Sequence, residues 1–470
     1  MSEGPTSIEP SADAVGAESR PGSETVAPER SNAQPAGEGP PDTPQPNRQR
    51  ATPGRSRRAL RAFGLGLITG AADDDPSAIG TFASAGAKFG PSFLWAAPVA
   101  FPMMIAVVYL SGKLGQVSGQ GLFALLRTHY PKWLLYSTLT AVLIGNVIEA
   151  GADIGGMAAA IRLLVPVPLA LVVVPITAGI LVFQIWGSYT LLRNIFRWLS
   201  LALLAYVASA FLAKPEWFGV LRATFVPKMY WNREYLSLVV AVIGTSLSAY
   251  LYTWKSNEEV EEKIAHGEVE LGQRRGTTST QLERSAWDVA IGMFFSSAIM
   301  YFVVLSTAST LFKAGRHDID SAAQAAAALE PLAGHLAGVL FAVGIIGVAF
   351  IAIPVMTTGA AYDLCQSVGW KHGLHAKPRE AKRFYLAITG FTALAMGLNF
   401  IGINPMKALV FAGIVQGFST PFLLVLIMRM SNDRRVVGEM VNSRVVNWVG
   451  WATTLATFAA TAGLVVTWFM

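Results

Sequence analysis

The sequence predicts an all-α membrane protein of about eleven transmembrane helices, arranged as two inverted five-helix repeats in which helices one and six are broken. Three observations carry that prediction. The chain of 470 residues is 53% hydrophobic and only 14% charged, with a mean hydropathy of +0.45, whereas a soluble domain of that size needs a far more polar surface. Apolar stretches of span length recur along most of its length. Two of them, the first and the sixth, carry helix-interrupting residues at mid-segment. Interruptions at corresponding places in two halves are the best sequence pointer to such a repeat and to a binding site between the breaks.

Residues 1–50 are rich in Pro, Gly, Ser, Ala and Glu, without an aromatic residue or an apolar block. Such a tail cannot bury enough surface to order itself, and it lacks the apolar core of a signal peptide. Arg48, Arg50, Arg55, Arg57, Arg58 and Arg61 then lead into the membrane domain, 51–470, where they can meet anionic head groups. Spans of about 20 apolar residues fall at 60–86, 91–112, 134–164, 168–189 and 195–213 in a first repeat. A second repeat follows at 233–254, 285–312, 333–366, 384–402 and 405–429, ending near 430, with an extra helix at 446–469. An odd number of helices per half inverts the second copy. Gly151, Gly155 and Ala159 form a small-residue face suited to close helix packing.

The net charge of +6 is a topological signal and not a nucleic-acid footprint. Alternate loops are basic, among them those holding Lys113, Arg127 and Lys132, then Arg274, Arg275 and Arg284, then Lys371, Lys377, Arg379, Lys382 and Arg383. The positive-inside rule puts the N-terminus in the cytoplasm and the C-terminus outside, in a multi-pass protein of the cell membrane whose surroundings are a lipid bilayer. Cys365 is the only cysteine, so neither an intramolecular disulfide nor a thiolate cluster can form. The six histidines lack metal-site spacing along a span and, His335 apart, lie in loops or at helix ends. No HExxH or GxSxG element is present, which argues against a membrane enzyme. No cofactor is implied.

The chemistry concentrates at the break in the first span. Asp73, Asp74 and Asp75 precede Pro76, roughly 20 Å into the segment at about 1.5 Å per residue, hence near mid-bilayer. A charge there costs about 2.5–3.5 kcal/mol, which makes it a functional site by default. Pro76 has no N–H and drives Asp75 out of the α region, so the helix stops and restarts. The carbonyls of Ala71 and Ala72 lose their partners, and orphan carbonyls beside a carboxylate suit a cation. The bland alternative for Asp75 is a helix cap. Three adjacent charges repel, so Asp73 or Asp74 carries a proton or faces an aqueous vestibule. Glu149 and Asp153, four residues apart, share one helix face as a polar path or a structural pair. Glu258, Glu259, Glu261 and Glu262 read as a solvated extension of the sixth span paired with Lys255 and Lys263.

With these residues in hand, the chain resembles the Nramp family of divalent-metal transporters over about residues 60–435, and specifically its divergent branch with magnesium-transporting relatives. The family's first-helix Asp-Pro-Gly-Asn is matched by Asp75-Pro76-Ser77-Ala78, and its sixth-helix Met-Pro-His by Ser248-Ala249-Tyr250. Further likeness runs through SGKLGQVSGQGLFALLRTHYP, GADIGGMAAAIRLL and LLRNIFRWLSLALLAYVASAFLAKPEW. The resemblance implies a leucine-transporter-like fold, with Asp75 and the carbonyl of Ala72 as metal ligands. Ala78 replaces a ligating asparagine, Ser248 a methionine sulfur, and Gly413 stands where helix 10 usually offers a glutamine. Loss of the thioether removes the soft donor that favours transition metals. One carboxylate with carbonyls and hydroxyls from Ser77, Thr245, Ser246 or Ser248 suits a hard cation that keeps several waters, as Mg²⁺ does. The bland reading of Thr245 and Ser248 is satisfaction of backbone carbonyls. The family's helix-6 histidines align with Tyr250 and Lys255, Asp153 with a glutamate, and Ala150 with an aspartate, so the usual proton machinery is altered.

The leading expectation is therefore transport of a divalent cation, Mg²⁺ with Mn²⁺ also accepted, by alternating access without proton coupling. Proton-coupled Mn²⁺ or Fe²⁺ symport is the alternative. An amino-acid or organic-cation carrier on the same scaffold is disfavoured for amino acids, because Asp73 to Asp75 repel a substrate carboxylate.

Overall fold

The computed structural model describes Gly70 and residues 73–186 and 203–469, all within the unit Gly54–Met470. The tail expected over 1–50, the start of the first span, the carbonyl of Ala72 and the segment 187–202 lie outside the described residues. Among those described, no strand occurs, and besides shorter connecting helices such as Leu122–His129 and Trp217–Phe225 twelve helices carry the fold. They are α1 (Pro76–Phe89), α2 (Ala96–Ser118), α3 (Lys132–Leu164), α4 (Leu169–Trp186), α5 (Leu204–Leu212), α6 (Arg233–Ser246), α7 (Ala249–Ala265), α8 (Ser279–Thr307), α9 (Ala337–Val368), α10 (Lys382–Gly397), α11 (Pro405–Met430) and α12 (Arg444–Val466).

Eight segments among the described residues are long and apolar enough to cross a membrane, with α6 and α7 counted as one. The other three expected spans are met in their described parts by α1, α5 and α10. The span expected at 333–366 begins as a helix only at Ala337. Residues Glu330–Leu336 form short turns, and His335 lies in one of them, outside the long helix.

Both expected breaks are present. The amide of Asp74 donates to the Gly70 carbonyl at 3.2 Å, closing a last helical turn. Asp75 is then extended (φ −68°, ψ 172°), and α1 starts at Pro76 with Asp75 as its N-cap. A proline in the first helical position costs nothing there, because its missing N–H would have been unpaired anyway. In the sixth span α6 ends at Ser246, Leu247 leaves the helical region, and Ser248 is extended before α7 begins. In hydrocarbon the freed backbone carbonyls need partners from within the protein. The Ser248 hydroxyl reaches the Gly244 and Thr245 carbonyls at 2.9 and 3.1 Å. The Thr420 hydroxyl, from α11, donates to the Leu247 carbonyl at 2.9 Å.

The break falls beyond Gly244, whose role is contact. A Cβ at that position would stand 2.0 Å from the Gly413 carbonyl oxygen and 2.5 Å from the Gly417 nitrogen. Three glycines therefore bring α6 and α11 backbone to backbone, the small-residue solution to helix association in lipid. Gly151 and Gly155 on α3 serve the same end: Cβ atoms there would meet Leu398 and the Ala395 carbonyl, or the Asn399 side chain. Around these contacts α1 packs against α3, α6, α8 and α11, while α7 packs against α2 and α9. The two breaks thus open into the interior of the bundle.

Gly244→Ala forces the α6–α11 backbones apart. We expect a loss of about 1–3 kcal/mol, the usual range for overpacking, read as a lowered thermal unfolding midpoint in detergent; an unchanged midpoint would show that the approach is not rigid.

Candidate ion site between the two broken helices

The site is assembled from four elements. Asp75 is fully buried. Its Oδ1 accepts from the Ala78 amide at 2.6 Å and the Ser77 hydroxyl at 2.8 Å, and its Oδ2 from the Tyr250 hydroxyl at 3.0 Å. The cap geometry and the tie to α7 therefore use different oxygens. From α3, the Oδ1 of Asp153 accepts from the Ser77 amide at 2.9 Å, one of the orphan N–H groups at the start of α1. One turn away along α3, Glu149 Oε1 accepts from Ser248 at 3.1 Å and lies 3.4 Å from the Ser77 hydroxyl. Its Oε2 accepts from Gln416 Nε2 of α11 at 2.7 Å, and that amide also reaches Asn146 Oδ1 at 3.3 Å.

Asp75, Ser77, Glu149, Asp153 and Ser248 are thus brought into one hydrogen-bonded cluster, all of them fully buried. The spacing of Asn146, Glu149 and Asp153 on α3 puts them on one helix face toward both breaks. Thr245 stands apart, because its hydroxyl bonds back to the Ala241 and Val242 carbonyls of its own helix at 3.1 and 3.2 Å. Asp73 and Asp74 do not face an aqueous vestibule. They are 1% and 0% exposed, and both contact one hydroxyl, Ser296 of α8, at 2.6 and 2.9 Å.

Gln416 is the residue that sequence reasoning missed. The amide of α11 is present, but three residues beyond Gly413, a position occupied by the close approach to α6. An uncharged amide inside an otherwise apolar span was the available signal. Tyr250 also enters the site, as a donor to Asp75.

All the polar side-chain atoms gathered here are oxygens, except the Gln416 and Asn146 amides. Among the described residues no Lys, Arg or His pairs with Asp73, Asp74, Asp75, Glu149 or Asp153. Buried carboxylates without a partner of opposite charge are strongly unfavourable as anions, which makes the cluster receptive to a cation. No three acidic, imidazole or thiol side chains converge on a single point among the described residues. The Ser77 hydroxyl stands between the Asp75 and Glu149 carboxylates and the Ser248 hydroxyl meets Glu149, so an ion here would draw on one or two carboxylates with neutral oxygens and water.

A contrasting network lies farther along α7. Lys255 is 5% exposed and pairs with Glu258 at 2.9 Å and Glu259 at 3.0 Å. Glu259, also buried, accepts from Gln116 of α2 at 2.7 Å and Ser285 of α8 at 3.0 Å. The expected pairing with Lys255 is present. Solvation, though, holds fully only for Glu262, since Glu259 is buried and Glu258 and Glu261 are half-buried. The α7 extension packs along α2, and side chains of α2 and α8 hold Glu259 inside the protein.

Two broken helices whose interruptions meet buried acids define a polytopic helical membrane protein of the leucine-transporter-like class. The chain belongs to the Nramp family, described as natural resistance-associated macrophage protein-like, which it matches over residues 66–467. It is 24% identical over 414 residues to the divalent metal cation transporter MntH of Klebsiella pneumoniae, covering 87% of this chain and 94% of that protein. The crystal structure of the Eremococcus coleocola manganese transporter in complex with an aromatic bis-isothiourea compound has a similar fold, with a TM-score of 0.66 at 17% identity over 88% of this chain and 89% of that one. The fold is shared more widely. Mhp1, a nucleobase-cation-symport-1 family transporter in a closed conformation, superposes with a TM-score of 0.55 at 14% identity, covering 86% and 90% of the two chains. Family membership places the protein among membrane transporters and outside the enzymes.

Lys255→Met strands Glu259 without its cation. Breaking a buried pair from one side typically costs about 3–5 kcal/mol, so the thermal midpoint of the purified protein falls markedly, and the double variant Lys255→Met, Glu259→Met regains much of the loss. A double variant no more stable than the single one would refute mutual compensation.

Proposed function

We propose that this protein carries a hard divalent cation across the cell membrane, Mg²⁺ with Mn²⁺ also accepted, by alternating access and without proton coupling. The observation that carries this reading is the donor set at the first break. Asp75, Glu149, Asp153, Ser77 and Ser248 offer oxygen and no sulfur or imidazole nitrogen. Hard dications are held by such oxygens, and Mg²⁺ keeps several waters while bound through one or two carboxylates. A soft donor that would favour late transition metals is lacking among these residues. The names of relatives add support for a dication: the MntH protein is a divalent metal cation transporter and the Eremococcus coleocola protein a manganese transporter.

Asp75 is the primary ligand in this reading, joined by the Ala72 carbonyl ahead of it and by the hydroxyls of Ser77 and Ser248. Thr245 belongs to the outer packing and enters only if α6 rearranges. Glu149 and Asp153 form the polar path beside the ion. The negative end of the half-helix before the break and Asp75 together favour a positive charge at mid-bilayer. The ion is cargo, and no resident cofactor is required. The basic loops support an N-terminus in the cytoplasm and a C-terminus outside, with uptake directed inward.

A second reading has one observation in its favour. Glu149 and Asp153 are buried without a cationic partner among the described residues, and such groups can carry protons through a membrane. That arrangement fits proton-coupled Mn²⁺ symport. An amino-acid substrate is opposed by the same acids, because its carboxylate would enter an acidic pocket.

Reconstituted into proteoliposomes, the wild-type protein should give Mg²⁺ and Mn²⁺ flux, and Asp75→Ala should abolish both while the thermal midpoint and elution profile stay those of a folded protein. Tyr250→Phe, which removes a hydrogen-bond donor to Asp75, should weaken ion affinity roughly 10-fold. A pH dye in the lumen decides the coupling. Metal uptake without a pH change supports the uniport reading, acidification supports symport, and undiminished flux in Asp75→Ala removes Asp75 from the site.

A further inference from the structure

Two carboxylates and a phenol near the first break are left over once the Asp75 cluster is assembled. Asp73 and Asp74 both contact the hydroxyl of Ser296 on α8, at 2.6 and 2.9 Å. A serine hydroxyl carries a single hydrogen, so it can donate to one of these acceptors and not to both. With both carboxyls ionised, the second contact sets oxygen lone pairs against a carboxylate, so the pair needs either a proton or a cation. The remaining oxygens, Asp73 Oδ1 and Asp74 Oδ2, are buried and have no hydrogen-bond partner among the described residues.

The phenolic oxygen of Tyr252, on α7, is likewise buried and without a hydrogen-bond partner among the described residues. Its ring lies within electrostatic reach of Asp73. Two residues earlier, Tyr250 serves Asp75 instead. Residues two apart on a helix do not share a face. Asp73 lies within electrostatic reach of both tyrosines, but the Tyr250 hydroxyl is taken by Asp75 and that of Tyr252 is not, so the Asp73–Asp74 pair adjoins the cluster on α3. No Lys, Arg or His compensates it among the described residues.

Resting on the proposed function, we infer that Asp73, Asp74, Ser296 and Tyr252 form a second site for a hard divalent cation, a relay position next to the Asp75 site on the side of the half-helix that ends at the break. Two carboxylates provide the double negative charge a dication matches, and the two hydroxyl oxygens complete an all-oxygen set of the kind Mg²⁺ and Mn²⁺ accept. A cation between the acids removes the lone-pair conflict at Ser296, because both carboxylates then coordinate and the hydroxyl needs only one acceptor. It also removes the repulsion between adjacent charges. With two sites on either side of the break, an ion leaving Asp75 exchanges ligands stepwise.

Mn²⁺ binding to the purified full-length protein, followed by the electron paramagnetic resonance signal of free Mn²⁺, tests this. Wild type should bind about two ions per chain, and Asp73→Asn with Asp74→Asn about one, because the amides keep the shape and lose the charge. Asp75→Ala should also retain about one ion. Ser296→Ala and Tyr252→Phe, each expected to weaken the second ion by roughly 10-fold, keep the test open if the double variant does not fold. A single wild-type ion that Asp75→Ala abolishes and the Asp73/Asp74 variant leaves intact overturns the relay site while the proposed function stands. No Mn²⁺ binding by wild type overturns both.

Discussion

The structure depends on one constraint: backbone that leaves the helix inside hydrocarbon must find every partner within the protein. Asp75 meets it at the first break by capping α1 with one oxygen, while its own segment ends in a last helical bond from Asp74 to Gly70. Ser248 and Thr420 meet it at the second, each taking carbonyls that the interruption of the sixth span releases. The polar groups needed for that purpose also supply the oxygens of the site. Capping and ion binding are therefore not rival readings of Asp75. The carboxylate's Oδ1 holds the helix start and its Oδ2 faces Tyr250 across the gap to α7.

Bringing the two breaks together requires helices closer than large side chains allow. Gly244, Gly413 and Gly417 set α6 against α11 with backbone atoms in contact. That approach carries Gln416 to Glu149. The same approach leaves Gly413 no freedom to present a ligand. The packing of α1 against α3, α6, α8 and α11 then closes the cluster from water, and burial is what gives each uncompensated carboxylate its hold on a positive charge.

Much of this was legible in the sequence, for identifiable reasons. Asp75-Pro76 announces a helix restart because proline restricts the residue before it, and the restart is where that dipeptide put it. The Glu149–Asp153 spacing predicts a shared face, and both residues reach the first break from α3. Other features depended on tertiary neighbours. The stretch from Gly244 to Ser248 signalled an interruption without saying where, because Gly244 is fixed by α11 and the helix ends only at Ser246. Thr245 has the right chemistry, but its hydroxyl bonds carbonyls of its own helix, a use that only the folded backbone shows. Glu259 reads as a surface charge until α2 and α8 enclose it. The fates of Asp73 and Asp74 turned on Ser296, more than 200 residues away in the chain, which no local pattern could pair with them.

The two polar networks of α7 divide its length by electrostatic character. Lys255 pairs with both Glu258 and Glu259, so that stretch carries a fixed counterion of its own, and Glu259 ties α7 to α2 and α8. Nearer the break, Tyr250 and Ser248 meet carboxylates that have hydroxyl and amide partners but no fixed cation among the described residues. Compensated charges favour one arrangement of helices, because separating a buried pair exposes both members to a medium that does not solvate them. In the proposed reading, uncompensated charges leave their balance to a mobile ion, whose arrival would strengthen contacts between α1, α3 and α7 and whose departure would weaken them. A carrier that alternates between two openings needs both kinds of contact: a fixed one that holds a state together, and one that the cargo itself completes.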